Sequence, residues 1–283
     1  MDGGPWTVDD TMITSRIRRP AVAGYWYPTD PRELRHEVAR LLQTATEPAS
    51  PARGILLPHG SYRHAGSVIG ATLGRTIIPR RCIILAPSHL EHWTPWSLLT
   101  HGAYRTPLGD IPIDTACAET LRARCPFLAP DETWQRGEHA IEVLLPFLQS
   151  LAPADLAIVP VLIGSEDPQE WACVSKALAQ AVLMQEEPVL VIASSDLSHY
   201  LPEPRTAALD GLLIDAIRRL DAAAFLSAVQ EHAAIVCGAA AIACWLGTVT
   251  QLGATTATLA SYGTSAAAGG DPHSAIGYAG LLA

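Results

Sequence analysis

VLVIASSDLSHY, residues 189–200, decides the fold. Five apolar residues, 189–193, stop at Ser194-Ser195-Asp196-Leu197-Ser198-His199-Tyr200. An apolar run without polar alternation belongs to a strand buried on both faces, as in a parallel sheet, and the carboxyl ends of such strands carry chemistry. Two earlier stretches repeat the pattern: RGILLP, residues 53–58, runs into His59, and RCIILAP, residues 81–87, runs into Ser88-His89. Three buried strands that finish in a histidine predict one site gathering His59, His89, Asp196 and His199.

Strand-like and helix-like segments alternate along nearly the whole chain. That pattern predicts a single α/β domain over residues 16–283, with a central, mostly parallel or mixed sheet flanked by helices, behind a disordered arm, residues 1–15. The 283 residues are 49% hydrophobic, enough for a sizeable core. A net charge of −9 with no basic stripe argues against a nucleic-acid partner. The small basic clusters, Arg16-Ile17-Arg18-Arg19 and Arg80-Arg81, read as solvated or locally paired. No apolar run reaches the roughly 20 residues of a membrane span. The polar first residues contain no secretory signal. The six cysteines, Cys82, Cys117, Cys125, Cys173, Cys237 and Cys244, show neither a C-x-x-C pair nor zinc-type spacing. A soluble, cytoplasmic protein with reduced thiols is expected.

Around the three strands, punctuation sets the other elements. Thr29 or Asp30 can cap a helix with Pro31 in its first turn, after an aromatic knot, Tyr25-Trp26-Tyr27, that reads as packing. Gly66 and Gly70 share one face of the helix after His59, permitting close packing against the sheet. His92, Trp93 and Trp96 share a loop that either walls an apolar pocket or tucks onto the body. Asp114 caps the helix that follows it, and Asp221 a later one. Residues 136–142 open a helix that places His139 and Glu142 on one face, as part of the polar surround of the site or as a cap with a surface histidine. Pro160 inside the apolar run 156–163 suggests an edge strand or a bulge. Residues 255–262 and 273–279 form a closing strand pair across a Gly-rich loop.

Two neutral imidazoles plus one anionic ligand, with positions left open, suit non-haem Fe(II) or catalytic zinc. His59 and His89 are the first choices. Asp196, His199 or a thiolate can be the third. Cys237 precedes Gly238 at a helix start, where the dipole favours thiolate; from spacing alone it reads equally as a small buried hydrophobe. His199, neighboured by Asp196, suits a general base. A Ser/His/Asp hydrolase is another reading of Ser194-Ser195-Asp196 with His199, weakened by the lack of a G-x-S-x-G elbow.

The chain resembles the Memo family, whose bacterial members are labelled AmmeMemoRadiSam system protein B. The likeness is carried by RRPAVAGYWYP (18–28), PHGSYRHAG (58–66), APSH (86–89), TPLGDIPID (106–114), EHAIEVLLPFLQ (138–149), IVPVLIG (158–164), ASSDLSHY (193–200), Cys237-Gly238 and IGYAGLL (276–282). It implies a fold similar to class III extradiol dioxygenases and a metal site of two histidines and a cysteine, falling on His59, His89 and Cys237. It places Asp196 and His199 beside the metal as catalytic residues. Around the site or along the substrate pocket it sets His139, Glu142, Tyr62, Ser88 and Tyr200. Three of the usual family motifs are altered, at Gly60-Ser61, His64 and Ala140. These touch the expected pocket wall rather than the ligands. The resemblance implies Fe(II) first, with copper or zinc as alternatives, and a metal-dependent oxidoreductase acting on a small organic substrate. A metal-binding adaptor without turnover and a zinc-dependent hydrolase are the other readings. AMMECR-like and radical SAM system proteins are the partners it implies.

Overall fold

The computed structural model describes residues 17–90, 95–128, 130–131, 133 and 135–283. The predicted arm 1–15, together with Arg16, His92 and Trp93, lies outside them. In chain order the elements are β1 (Ile17–Arg18), α1 (Pro31–Leu42), β2 (Gly54–Leu57), α2 (Gly66–Leu73), β3 (Arg81–Pro87), β4 (Trp96–Leu98), β5 (Ala103–Thr106), β6 (Gly109–Pro112) and α3 (Thr115–Arg122). A 3-10 turn at Glu142–Leu144 runs into α4 (Leu145–Leu151), and β7 (Ala157–Ile163), α5 (Pro168–Leu183), β8 (Val189–Ser194) and β9 (His199–Leu201) follow. The chain closes with α6 (Glu203–Arg218), α7 (Ala222–Glu231), α8 (Ala239–Gln251), β10 (Thr258–Thr264) and β11 (Ala275–Leu282).

The main sheet has the order β10-β11-β2-β8-β3-β7-β4, with β9 added on β11. Its centre is parallel: β2, β8, β3 and β7 all run the same way, β11 and β4 run against them, and β10, antiparallel to β11, runs with the centre again. The expected mixed α/β domain is therefore present, and the apolar run that opens the sequence reading is its middle strand. Every residue of β2 and β8 is buried, which is why those segments carry no polar alternation. In register, Leu57 lies beside Ser194 and Leu85 beside Ala193. The three histidine-terminated strands are thus neighbours and end nearly level.

Helices cover both faces. Gly277 and Gly280 sit three apart on β11 and so point to opposite faces. A Cβ at Gly277 would meet Asp210 of α6, and one at Gly280 would meet Thr72 of α2. Helix α8 lies on the α6 side, where Trp245 crosses Gly54 and donates its Nε1–H to the Val191 carbonyl at 3.1 Å. A small three-stranded sheet, β1-β5-β6, stands apart.

The predicted caps form: Asp30 accepts from the Arg32 and Glu33 amides, Asp114 from Cys117, and Asp221 from Ala224. Pro160 lies on β7, one strand in from the edge, immediately past the last residue paired with β4. Its missing N–H is tolerated there because the ladder on that side has ended. The Arg80-Arg81 cluster is locally paired with Asp155, Glu187 and Asp114.

Four expectations need correction. No helix opens at residue 136; residues 136–141 are turns and irregular backbone, and helix begins only at Glu142. Trp96 is not in a pocket loop. It is a fully buried β4 residue whose indole N–H donates to Glu170 at 2.7 Å. Arg18 is paired, one of the two expected readings, but with the distant Glu142 and in the interior rather than in solvent. Finally, Gly66 and Gly70 face α1, not the sheet: a Cβ at Gly70 would lie 2.1 Å from the Leu41 carbonyl oxygen, and one at Gly66 2.8 Å from the Leu41 side chain.

That helix contact can be tested by overpacking. Gly70→Ala should cost about 1–3 kcal/mol or more in denaturant unfolding. Gly211→Ala, on α6 with nothing within 4 Å of the added methyl, should gain about 0.5–1 kcal/mol. Equal effects at the two positions would contradict the α1–α2 packing.

Candidate metal centre

Strand β2 delivers Pro58 and His59 to the sheet edge. The His59 ring is buried, and its backbone N–H donates to Asp196 Oδ1 at 2.8 Å. Its Nδ1 lies 2.9 Å from Ser194 Oγ at the end of β8. The Ser194 hydroxyl proton is already given to the Ala140 carbonyl at 2.6 Å, so Ser194 Oγ must accept from His59 Nδ1–H. The His59 lone pair is therefore on Nε2, which faces Cys237 Sγ at 3.2 Å.

His89, after β3, is fixed by a different partner with the same result. Its backbone N–H donates to Glu138 Oε2 at 2.6 Å, and its Nδ1 lies 2.9 Å from Glu138 Oε1. A carboxylate accepts, so His89 also carries a proton on Nδ1 and has only Nε2 to offer a metal. Glu138 is buried and in turn takes the backbone N–H groups of His139 and Ala140 at 2.7 and 2.8 Å.

Cys237 stands just before the cap of α8. Its Sγ accepts the Asp196 backbone N–H at 3.3 Å. Gly238 is required by close approach: a Cβ there would meet Ser195 Cβ at 2.6 Å and the Ser194 carbonyl at 2.8 Å. One donor atom each from His59, His89 and Cys237 lies within 4.8 Å of the other two, and the same holds for the set Asp196, His199 and Cys237. His199 Nδ1 lies 2.7 Å from the Leu197 carbonyl and 3.0 Å from the Ile235 carbonyl, and must be the protonated nitrogen. Three histidines from three strand ends thus each hold a proton on Nδ1.

These environments set the charges. Burial drives the His59 imidazole down to about 3, with the neighbouring His89 adding to the effect. His139 falls to about 4 by burial and by His59. Both are neutral at pH 7, the form a metal ligand needs. Burial pushes Glu138 up, but the His89 hydrogen bond and the His89 and His139 charges outweigh it and hold the carboxyl at about 2. Burial raises Asp196. It also raises the Cys237 thiol strongly, and Asp196 adds to that. The expectation that the helix start would favour a Cys237 thiolate is corrected accordingly: desolvation outweighs the dipole, and the thiolate requires a bound cation. Burial lowers His89, but the Glu138 hydrogen bond and charge outweigh it and raise it above the usual imidazole range, so a bound cation must displace a proton from His89 Nε2 as well as from the thiol. With that cation the set fits: two imidazoles, each with Nδ1 committed and Nε2 left for the ion, and a sulfur beside them.

The remaining expected residues divide. His139 belongs to the site: its ring stacks on His89 at 4.4 Å between centroids and meets His59 edge-on at 5.5 Å. Tyr200 is exposed, with its ring 5.4 Å from His199. Ser88 is half-buried beside His89, and His64 is half-buried with its Nδ1 3.0 Å from Ser61 Oγ. Glu142 does not share a face with His139. It is fully buried and takes the Ala21 and Val22 amides at 2.7 and 3.0 Å, the Tyr27 hydroxyl at 2.6 Å and the Arg18 guanidinium. Tyr62 packs between Tyr27 and Phe147 and donates to the Val143 carbonyl at 2.9 Å, so it is core. The serine-hydrolase reading fails on Ser194 and Ser195. The Ser195 hydroxyl donates to the Asp196 carbonyl at 2.7 Å, Ser194 to Ala140, and among the described residues neither pairs with His199 as a nucleophile requires.

Several contributors went unread. Glu138 sits in the quoted EHAIE segment, but its partner is 49 residues away. Trp26, assigned to packing, lies with its ring 4.1 Å from that of His139. Asp210 on α6 is fully buried and forms no ion pair among the described residues; it accepts the Ser198 amide and hydroxyl at 3.0 and 2.6 Å and the Tyr262 hydroxyl at 2.7 Å, clamping the residue before His199. Polar residues on helices offer no spacing signal for such roles.

Comparison with known proteins agrees over the whole length. A family model described as Memo-like protein matches residues 18–282. A MEMO1 family protein of Methanopyrus kandleri is 34% identical over 278 residues, covering 94% of this chain and 98% of that protein. One from Aquifex aeolicus is 30% identical over 267 residues, with 94% and 99% covered. Among solved structures, an uncharacterized Escherichia coli K12 protein matches with a TM-score of 0.52 at 15% identity, over 81% of this chain and 99% of that one, a likeness of fold.

If Ser194 and Glu138 set the imidazole orientation, Ser194→Ala and Glu138→Gln should each weaken metal affinity about 10- to 100-fold in chelator competition while the fold persists. Unchanged affinity in both variants would remove the assigned role of these partners.

Proposed function

The chain belongs to the Memo-like protein family, and from that premise we propose that it binds one redox-capable metal ion through His59, His89 and Cys237 and acts as a metal-dependent oxidoreductase on a small organic substrate. The observation that supports this most is the shared orientation: Ser194 and Glu138 occupy Nδ1 of His59 and His89, so Nε2 is the nitrogen each has left for an ion, in a group with Cys237 Sγ. A sulfur donor in place of a carboxylate gives the ion more electron density and admits softer metals. Iron(II) is the first expectation, with copper next; either would supply one-electron redox chemistry, where zinc would supply only Lewis acidity.

The chain's own groups have separate tasks in this reading. His199 keeps its proton on Nδ1 through two carbonyls and presents Nε2 as the base that takes a substrate proton. Asp196 holds the His59 backbone and sits with His199 and Cys237, so its carboxylate faces the same space. His139, neutral and stacked on His89, with the Trp26 ring tilted against it at 4.1 Å, forms a wall that limits water.

Protein purified anaerobically without chelator should carry near-stoichiometric iron or copper by elemental mass spectrometry and consume O₂ when the substrate is found. His59→Ala and Cys237→Ser should each sharply lower metal content with circular dichroism unchanged. Full metal retention in both variants would sink the ligand assignment. Stoichiometric zinc would sink the redox reading and favour hydrolysis.

A further inference from the structure

On the outer side of His199 is a cleft of about 360 Å³, bounded by His199, Tyr200, Arg205, Leu212, His232 and Ile235. That size falls in the range of small-molecule sites. Its walls are apolar and wet: Tyr200, Leu212 and Ile235 are 64%, 50% and 56% exposed, and all three converge on this one cleft. Single exposed apolar residues are ordinary, but a cluster lining a concavity marks a binding surface. Of the bordering residues with left-handed backbones, Ala233 (φ 48°) is the ordinary stop of α7, its neighbour Ala234 donating to the Val229 carbonyl at 2.9 Å, whereas Tyr200 (φ 62°) lies in a strand, where its surroundings must impose it.

The charge of the cleft is one-sided. Arg205 and His232 line it and no carboxylate does, in a chain whose net charge is −9. Arg205 is exposed and makes no ion pair among the described residues. The cleft borders the site at one residue, His199, whose Nδ1 donates to the Ile235 carbonyl of the cleft wall at 3.0 Å. A ligand lying on Tyr200, Leu212 and Ile235 would therefore adjoin the imidazole assigned to proton transfer.

We propose that this cleft binds the non-reacting end of the substrate, a small amphiphilic carboxylate whose apolar body rests on Tyr200, Leu212 and Ile235 and whose anion pairs with Arg205. As a substrate subsite it rests on the reading of His199 as the base of the metal centre; as a binding site for that chemical class it stands independently. An arginine fork suits a planar carboxylate, and the apolar walls supply the area that an inorganic anion cannot use.

The test is methyl NMR titration of the full-length, metal-loaded protein with phenylacetate, using acetate and phenethylamine as controls. Saturable shifts of the Leu212 and Ile235 methyls are expected with phenylacetate. Acetate, which lacks the apolar body, and phenethylamine, which reverses the charge, should bind at least tenfold more weakly. Arg205→Gln should weaken phenylacetate at least tenfold with the rest of the spectrum unchanged. Equal affinity for the three probes, no effect of Arg205→Gln, or shifts elsewhere would overturn the proposal. Concentration-dependent broadening of the cleft methyls without ligand would also overturn it, assigning the surface to a second copy of the chain. Repeating the titration on His59→Ala separates the two readings: retained binding upholds the cleft even if the metal centre proves not to be redox-active.

Discussion

A histidine serves a metal only when one ring nitrogen is committed and the other is left bare. That constraint is met here by buried hydrogen bonds that originate far from the histidines in sequence. Ser194 Oγ can accept from His59 because Ala140 takes its proton, and Glu138 can accept from His89 because three backbone amides hold its carboxylate in place. The segment 138–140 thus orients both imidazoles. Its irregular backbone follows from this: a regular helix would draw the amides of His139 and Ala140 into its own ladder and away from Glu138.

That segment is itself anchored by the beginning of the described chain. Arg18 donates to the Gln135 carbonyl at 2.9 Å, to the Glu138 carbonyl and to Glu142, while Glu142 collects the Ala21 and Val22 amides and the Tyr27 hydroxyl. A buried Arg–Glu pair gives little net stability unless its remaining donors and acceptors are satisfied, and here the surrounding carbonyls, amides and phenol satisfy them. The consequence is geometric. The strap from Arg18 to Tyr27 is held in one place and lays Trp26 on His139, so the wall of the site is built from the first described residues and its donors from positions 59, 89 and 237, far apart in the chain.

Much of this was legible in the sequence, for a definite reason. Buried parallel strands announce themselves locally, by apolar runs that stop abruptly, and the edge of a parallel sheet collects whatever follows them. His59, His89, Asp196 and His199 were readable on those terms. Cys237 was not, because a cysteine before a small-residue helix looks the same whether it binds metal or packs, and only the resemblance selected it. Glu142 was misread because His139 and Glu142 are three apart, a spacing that means a shared face only where the helix exists. Gly66 and Gly70 were read correctly as close-packing residues but assigned to the sheet, since spacing shows that something approaches and not what.

The pairing of Gly277 with Asp210 has a historical consequence. A Cβ at position 277 would sit 1.7 Å from Asp210 Oδ2, so the strand can carry a side chain there only if α6 gives up its carboxylate or moves. Giving it up frees Ser198, whose carbonyl accepts the Gly277 amide at 2.9 Å and whose neighbour is His199. Drift at either position is therefore judged twice, once by packing and once by the site. The two should covary as a unit across descendants of this fold, remaining glycine with aspartate or changing together.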